Sequence, residues 1–157
     1  MKIINSHKNV SLEYQNDLIL KIESLALKHY PKEFGGFLIG YYSDDLKTLV
    51  LTDVLSPNEY RSHRALFERS TGGIKEKLLE LFKLNKKRYY VGEWHSHPNG
   101  SSRYSSTDLN AMQSIANSET IRIKNPILLI LSINSQRLEN YTFYLYDNNT
   151  LFEYGRK

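Results

Sequence analysis

His95 and His97 stand two residues apart, with Pro98 directly after them and Asp108 further on. On an extended strand, side chains two apart share a face, about 6.5–7 Å apart at the backbone. Both imidazoles can therefore converge on one ion at the zinc–nitrogen distance of about 2.0–2.1 Å. Pro98 ends such a strand just after the second histidine. Ser105-Ser106-Thr107-Asp108 has the form of a capping sequence, which puts Asp108 in the first turn of the helix that follows. From there its carboxylate can point back toward the histidines. Two histidines and one aspartate leave a fourth position for water, the arrangement of a catalytic zinc site rather than a structural one. Such an ion lowers the pKa of its water to about 7 and polarises a carbonyl.

Each piece also has an ordinary reading. A His-x-His pair is usually incidental, and Ser-x-x-Asp is a common helix cap. Their conjunction, with Glu33 upstream, favours the metal centre. Capping and ligation are compatible, because the cap fixes the turn that aims Asp108. Glu93, two before His95, shares the ligand face and reads as support for the ligands rather than as a base. Ser96 faces the other way and reads as structural or as a backbone-positioning contact, and Trp94 as core. His7, His29 and His63 lack ligand spacing. His29 suits the C-terminal end of a helix. His63 and Tyr104 are candidate substrate contacts.

His95-x-His97-Pro98, then six residues, then Ser105-x-x-Asp108, matches the motif of the JAMM (MPN-type) zinc metalloproteases. The segment Pro31-Lys32-Glu33-Phe34-Gly35-Gly36-Phe37-Leu38-Ile39-Gly40 is similar to that family's upstream glutamate segment. The chain thus resembles the family from its first helix to its third. The resemblance implies a single MPN/cytidine-deaminase-like domain over residues 1–157. Its fold would be α/β (α+β), a mixed curved sheet flanked by about three helices. It implies Zn2+ on His95, His97 and Asp108, with Glu33 as general base and Ser105 as donor to the oxyanion. It implies hydrolysis of peptide or isopeptide bonds at the C-terminal tails of ubiquitin-like proteins or their conjugates. The Gly92-Glu93-Trp94-His95 run looks most like small bacterial members. It resembles in particular the deconjugases that accompany E1/E2-like enzymes in antiphage (CBASS) operons, so E1/E2-like proteins are candidate partners. Sulfur-carrier or small-peptide processing stays open as an alternative. So does a nucleic-acid-linked role like that of the RadC family, although the Glu33 segment argues against it.

The elements needed to hold these residues are legible in the periodicity. Leu18, Ile22 and Leu25 recur at helical spacing over Asn16 to Tyr30, and Pro31 stops the helix. Gly36–Tyr42 and Thr48–Leu55 read as strands turned by Asp44-Asp45. Pro57–Ser70 reads as a loop or flap, and Gly73–Leu84 as a second helix. Arg88–His95 reads as the ligand strand and Pro98–Tyr104 as a loop. A third helix begins near Ser105 and ends before Thr120. Strands follow at Pro126–Ile133, Glu139–Tyr146 and Thr150–Tyr154, with a hairpin about Asp147-Asn148-Asn149.

Composition bounds the remaining classes. The 157 residues fit one domain, and 40% apolar with 24% charged is a globular balance. The absence of cysteine excludes disulfides, thiolate metal sites and a cysteine nucleophile. A net charge of +4 is mildly basic, and its one small cluster, Lys83, Lys86, Lys87 and Arg88, reads as a solvated helix end. A nucleic-acid surface would want a longer stripe. No signal-peptide pattern or membrane-length apolar run is seen, so the expected location is the cytoplasm, with no membrane partner.

Overall fold

A computed structural model describes residues 1–56, 88–119 and 121–155. The expected loop over 57–70 and helix over 73–84 lie outside the described residues, as do His63, Lys83, Lys86 and Lys87. The described elements are β1 (Lys2–Asn5), β2 (Val10–Glu13), α1 (Asn16–His29), β3 (Gly35–Tyr42), β4 (Thr48–Leu55) and β5 (Tyr89–Pro98). Then come α2 (Ser106–Ala116), β6 (Ile127–Ile133), β7 (Leu138–Asp147) and β8 (Thr150–Glu153).

All eight strands form one sheet in the order β1-β2-β4-β3-β5-β6-β7-β8. It is mixed: β2 runs parallel to β4 and β5 parallel to β6, and the other pairs are antiparallel. The sheet curls until its two ends meet, where Ile4 and Gly155 exchange both backbone hydrogen bonds at 2.9 Å. β1 and β2 come ahead of the first element read from the periodicity. With four residues each, they are too short to declare an alternation.

Among the described residues the sheet has an α+β plan with one helix on each face. α1 turns Leu18, Ile19, Ile22 and Ala26 into the larger core, which takes side chains from β1 through β7. Burying a residue such as Ile22 fully is worth roughly 1.5–3 kcal/mol relative to leaving it exposed. α2 lays Met112 and Ile115 on the other face, against Phe37, Ile39, Tyr90, Leu128, Ile130, Tyr144 and Tyr146. β6, covered on both sides, is buried at all seven residues, and its side chains alternate between the two cores. The β7–β8 hairpin turns at Asn148 and Asn149 with φ of 47° and 59°, the left-handed pair that a two-residue turn requires.

Two bulges set the phase of the site-bearing strands. β3 and β5 slip by one residue at Val91, between the pairs Leu38–Gly92 and Ile39–Tyr90. Thr52 is the extra residue between β3 and β4. Beyond the Val91 bulge, Trp94 and Ser96 face the α1 core, and Glu93, His95 and His97 face α2. β5 continues through Pro98, three residues past the end read from sequence, because its pairing with β6 extends to Pro98–Ile133. Among the described residues no helix is long and apolar enough to cross a membrane.

Gly92 lies tight against β6 at the start of their pairing: a methyl group there would overlap the Ile127 carbonyl. Gly92→Ala is therefore expected to destabilise the fold by about 3 kcal/mol, because backbone must shift rather than a side chain. At this chain length that lowers the thermal midpoint by roughly 6–12 °C. An unchanged midpoint would show that the two strands part there without cost.

Candidate metal centre

β5 and the start of α2 bring His95, His97 and Asp108 together. One ligand atom from each lies within 4.8 Å of the others. His95 Nε2 is 3.0 Å from His97 Nε2 and 3.2 Å from Asp108 Oδ1, and His97 Nε2 is 3.9 Å from Asp108 Oδ2. Two ligands of one ion at about 2.0–2.1 Å stand at most ~4.2 Å apart, which the His95–His97 and His95–Oδ1 pairs satisfy, while His97 approaches the other carboxylate oxygen, Oδ2. The donor set also fits chemically. His97 Nδ1 lies 2.8 Å from the Ser101 carbonyl, which can only accept. In the neutral ring the proton must therefore be on Nδ1, and Nε2 presents a lone pair to the centre.

Asp108 is aimed by the local sequence. Ser105 is the N-cap of α2, and the capping box is complete: Ser105 Oγ accepts from Asp108 N at 3.2 Å. In return the Ser105 amide and hydroxyl both donate to Asp108 Oδ2, at 2.6 and 2.7 Å. Burial pushes the Asp108 carboxyl up, but the hydrogen bond and charge of His95, with the Ser105 bonds, outweigh it. The group is held below the usual carboxylate range. Oδ1 stays turned to His95. Ser105 is an exposed residue whose one hydroxyl hydrogen is engaged by Asp108, so the hydroxyl must swing to serve another acceptor.

The segment that carries Glu33 is tied to the ligand strand through its backbone neighbours. Gly35 pairs in register with His95, and Phe34 is clamped to Ser96, the residue between the two histidines. The Phe34 amide donates to Ser96 Oγ at 3.1 Å, and its carbonyl accepts from the Ser96 amide at 2.8 Å. The Phe34 ring stacks on His29 at 3.5 Å and meets Trp94 edge-on at 5.8 Å. Ser96 is fully buried, so this clamp fixes where the Glu33 segment enters, with Glu33 itself exposed. The backbone-positioning reading of Ser96 describes this contact.

Glu93 shares the ligand face, and burial pushes its carboxyl up to about 7, against the lowering effect of His95. Tyr104, at 37% exposure, packs edge-on against Tyr144 at the rim. His7 is remote from the three residues. It stacks on Phe152 and bonds Asp147 at 2.8 Å. His29 bonds the Leu25 carbonyl at the end of α1, in keeping with its place near the helix C-terminus.

Sequence reasoning passed over the attachment of the 99–104 loop to the sheet. Ser132 Oγ donates to the Gly100 carbonyl, the Tyr144 hydroxyl donates to the Ser102 carbonyl, and Ser102 Oγ meets Thr142 Oγ1 and Asn140 Nδ2. A signal was present: Ser132 is the only polar residue in Ile127–Ile133, and Asn140, Thr142 and Tyr144 alternate along one face of β7.

A model of the family described as prokaryotic homologs of the JAB domain matches residues 15–144. The chain belongs to this family. As a JAB-domain chain it is similar to a CD-NTase/cGAS isopeptidase of Enterobacter hormaechei subsp. hoffmannii (strain UCI 50). The two are 36% identical over 114 residues, 72% of this chain and 62% of that protein. A probable metalloprotease, y4qB, of Sinorhizobium fredii (strain NBRC 101917 / NGR234) is 25% identical over 108 residues, 68% of this chain and 66% of that one. The match thus spans less than two thirds of the first relative's length and about two thirds of the second's. Two solution structures share the fold. Protein DSY2949 of Desulfitobacterium hafniense has a TM-score of 0.67 at 17% identity, over 90% of this chain and 88% of that one. A protein of Salinibacter ruber has a TM-score of 0.60 at 22% identity, over 92% and 88%.

Proposed function

We propose that this JAB-domain protein is a zinc-dependent isopeptidase or peptidase acting on the C-terminal tail of a ubiquitin-like protein or its conjugate. The observation that carries the reading is the convergence of His95 Nε2, His97 Nε2 and Asp108 on one point, with His97 Nδ1 already satisfied by a carbonyl. Zinc held there supplies a Lewis acid and an acidified water. Glu33 takes a proton from the attacking water and delivers it to the leaving amine. Ser105 turns its hydroxyl from Asp108 to the oxyanion. Glu93, behind the ligands on β5, supports their orientation. We read residues 1–157 as one such domain, since β1, β2 and β8, which lie outside the matched 15–144 span, complete the same sheet.

The substrate class rests on shape and on kinship. The three residues sit where the end of β5 meets the start of α2, beside the 99–104 loop. A tail passing there must be thin at the scissile bond, and glycine lets backbone approach closely. The 36%-identical relative is named a CD-NTase/cGAS isopeptidase, which supports a conjugated protein as substrate; E1/E2-like enzymes as partners rest on the sequence resemblance alone. The test is a Gly-Gly-ended ubiquitin-like tail fused to a reporter, once through an α-amine and once through a lysine side chain. Zinc-loaded protein is expected to cleave at least the lysine-linked form. Failure on both, with ready hydrolysis of unrelated short peptides, would overturn the tail specificity and leave a general metallopeptidase.

A further inference from the structure

The loop after β5 folds back over His97 and is held from beneath by the sheet. Asn99, at φ 56°, donates its amide to the Ile133 carbonyl at 2.7 Å, which turns the chain over the strand end. Gly100 then packs so close to His97 that an added methyl would stand 3.2 Å from the His97 Cβ. Next, Ser101 presents its carbonyl to His97 Nδ1 at 2.8 Å. The carbonyls on either side of that one are both pinned. Ser132 Oγ donates to the Gly100 carbonyl at 2.5 Å, and the Tyr144 hydroxyl donates to the Ser102 carbonyl at 2.9 Å. Both donors are buried, Ser132 at 5% exposure and Tyr144 at 4%, and each stands on a strand paired on both sides. Ser132 is also the register partner of His97 across β5 and β6.

We infer that Ser132 and Tyr144 are positioning residues for His97. By fixing the two flanking carbonyls, they orient the Ser101 carbonyl that keeps the His97 proton on Nδ1 and Nε2 free to bind metal. In a neutral imidazole the bond made by one nitrogen decides which nitrogen carries the proton. Outer partners of a ligating histidine typically change metal affinity by about 10–100-fold when removed. A main-chain carbonyl cannot be removed by substitution. Its orientation is set through the neighbouring peptides, and Ser132 and Tyr144 hold both. Ser102 Oγ, bonded to Thr142 and Asn140, adds a third tie on the same side.

The inference rests on the metal-centre reading, and the experiment separates the two. Ser132→Ala, Tyr144→Phe and the double variant are compared with the parent chain. Tyr144→Phe keeps the ring and its packing, so it decides the matter even if Ser132→Ala folds poorly. Zinc affinity is measured by chelator competition. The His97 tautomer is read in metal-free protein by long-range proton–nitrogen correlation NMR. The expected result is a loss of affinity of about threefold or more for Tyr144→Phe and about tenfold or more for the double variant. Some of the His97 population should then carry its proton on Nε2. Affinities within about twofold of the parent, with the Nδ1–H tautomer intact, overturn the inference. If the parent binds no zinc, the metal reading fails instead, and the tautomer measurement still decides the role of Ser132 and Tyr144.

Discussion

Glu33→Gln is expected to give a folded protein that keeps its zinc and turns over its substrate about a thousandfold more slowly. Glutamine preserves the size and the hydrogen-bonding oxygen of the side chain, but its amide cannot take up the water's proton. General-base catalysis by a placed carboxylate is worth about 10²–10⁴ in rate. Glu33 is exposed, so the change should alter stability by less than ~0.5 kcal/mol. The backbone clamp between Phe34 and Ser96 leaves the segment in place. Metal content, unfolding midpoint and kcat measured on one preparation separate these effects. The companion variant is Glu93→Gln, whose side chain lies on the same strand as the ligands rather than across from them. It should lose about 10–100-fold, less than Glu33→Gln. A larger loss from Glu93→Gln, with Glu33→Gln still active, would reassign the base.

Asp108→Ala is expected to abolish stoichiometric zinc binding and, with it, turnover. The carboxylate does two jobs, and alanine ends both. One is the approach of Oδ1 to His95 at 3.2 Å. The other is the acceptance of the Ser105 amide at 2.6 Å, which starts α2. Loss of the cap alone should cost about 1–2 kcal/mol, visible in metal-free protein. Asp108→Asn separates the two roles. Its amide oxygen can still accept from the Ser105 amide, so metal-free stability should stay near that of the parent. The missing charge should nevertheless weaken zinc binding severely. Elemental analysis of protein purified without chelator, beside thermal unfolding of the stripped forms, is the check. Full zinc occupancy in Asp108→Ala would remove this residue from the proposed ligand set.

The helix ended by Pro31, the buried strand after Gly35, the paired orientation of two histidines and the capped turn at Asp108 are local features, and local chemistry makes them legible. Periodicity finds α1 because Leu18 and Ile22 point one way. It finds β6 because a run such as Ile127–Leu131 is apolar on both faces. What stayed hidden depends on pairing between distant segments. The slips at Val91 and Thr52 leave no composition signal, though the first sets the facing of Glu93, His95 and His97. The Phe34–Ser96 clamp joins residues 62 apart in the chain, and the ties from Ser132 and Tyr144 end on main-chain carbonyls that carry no side-chain identity. Ser132 in an otherwise apolar strand and the alternation of Asn140, Thr142 and Tyr144 were the visible traces of that arrangement.

The junction of Ile4 with Gly155 bears on how this molecule behaves in company. The outermost strands of an open sheet are templates on which another chain can add, and that is a route to polymerisation. Here the two outermost strands are four residues each, and β1 bonds Gly155, just past β8, while the Asn5 side chain donates to the Phe152 and Glu153 carbonyls. The seam leaves little rail for a second copy. Under the proposed function the guests are extended tails, and a short-edged sheet offers them few rival sites away from the metal centre.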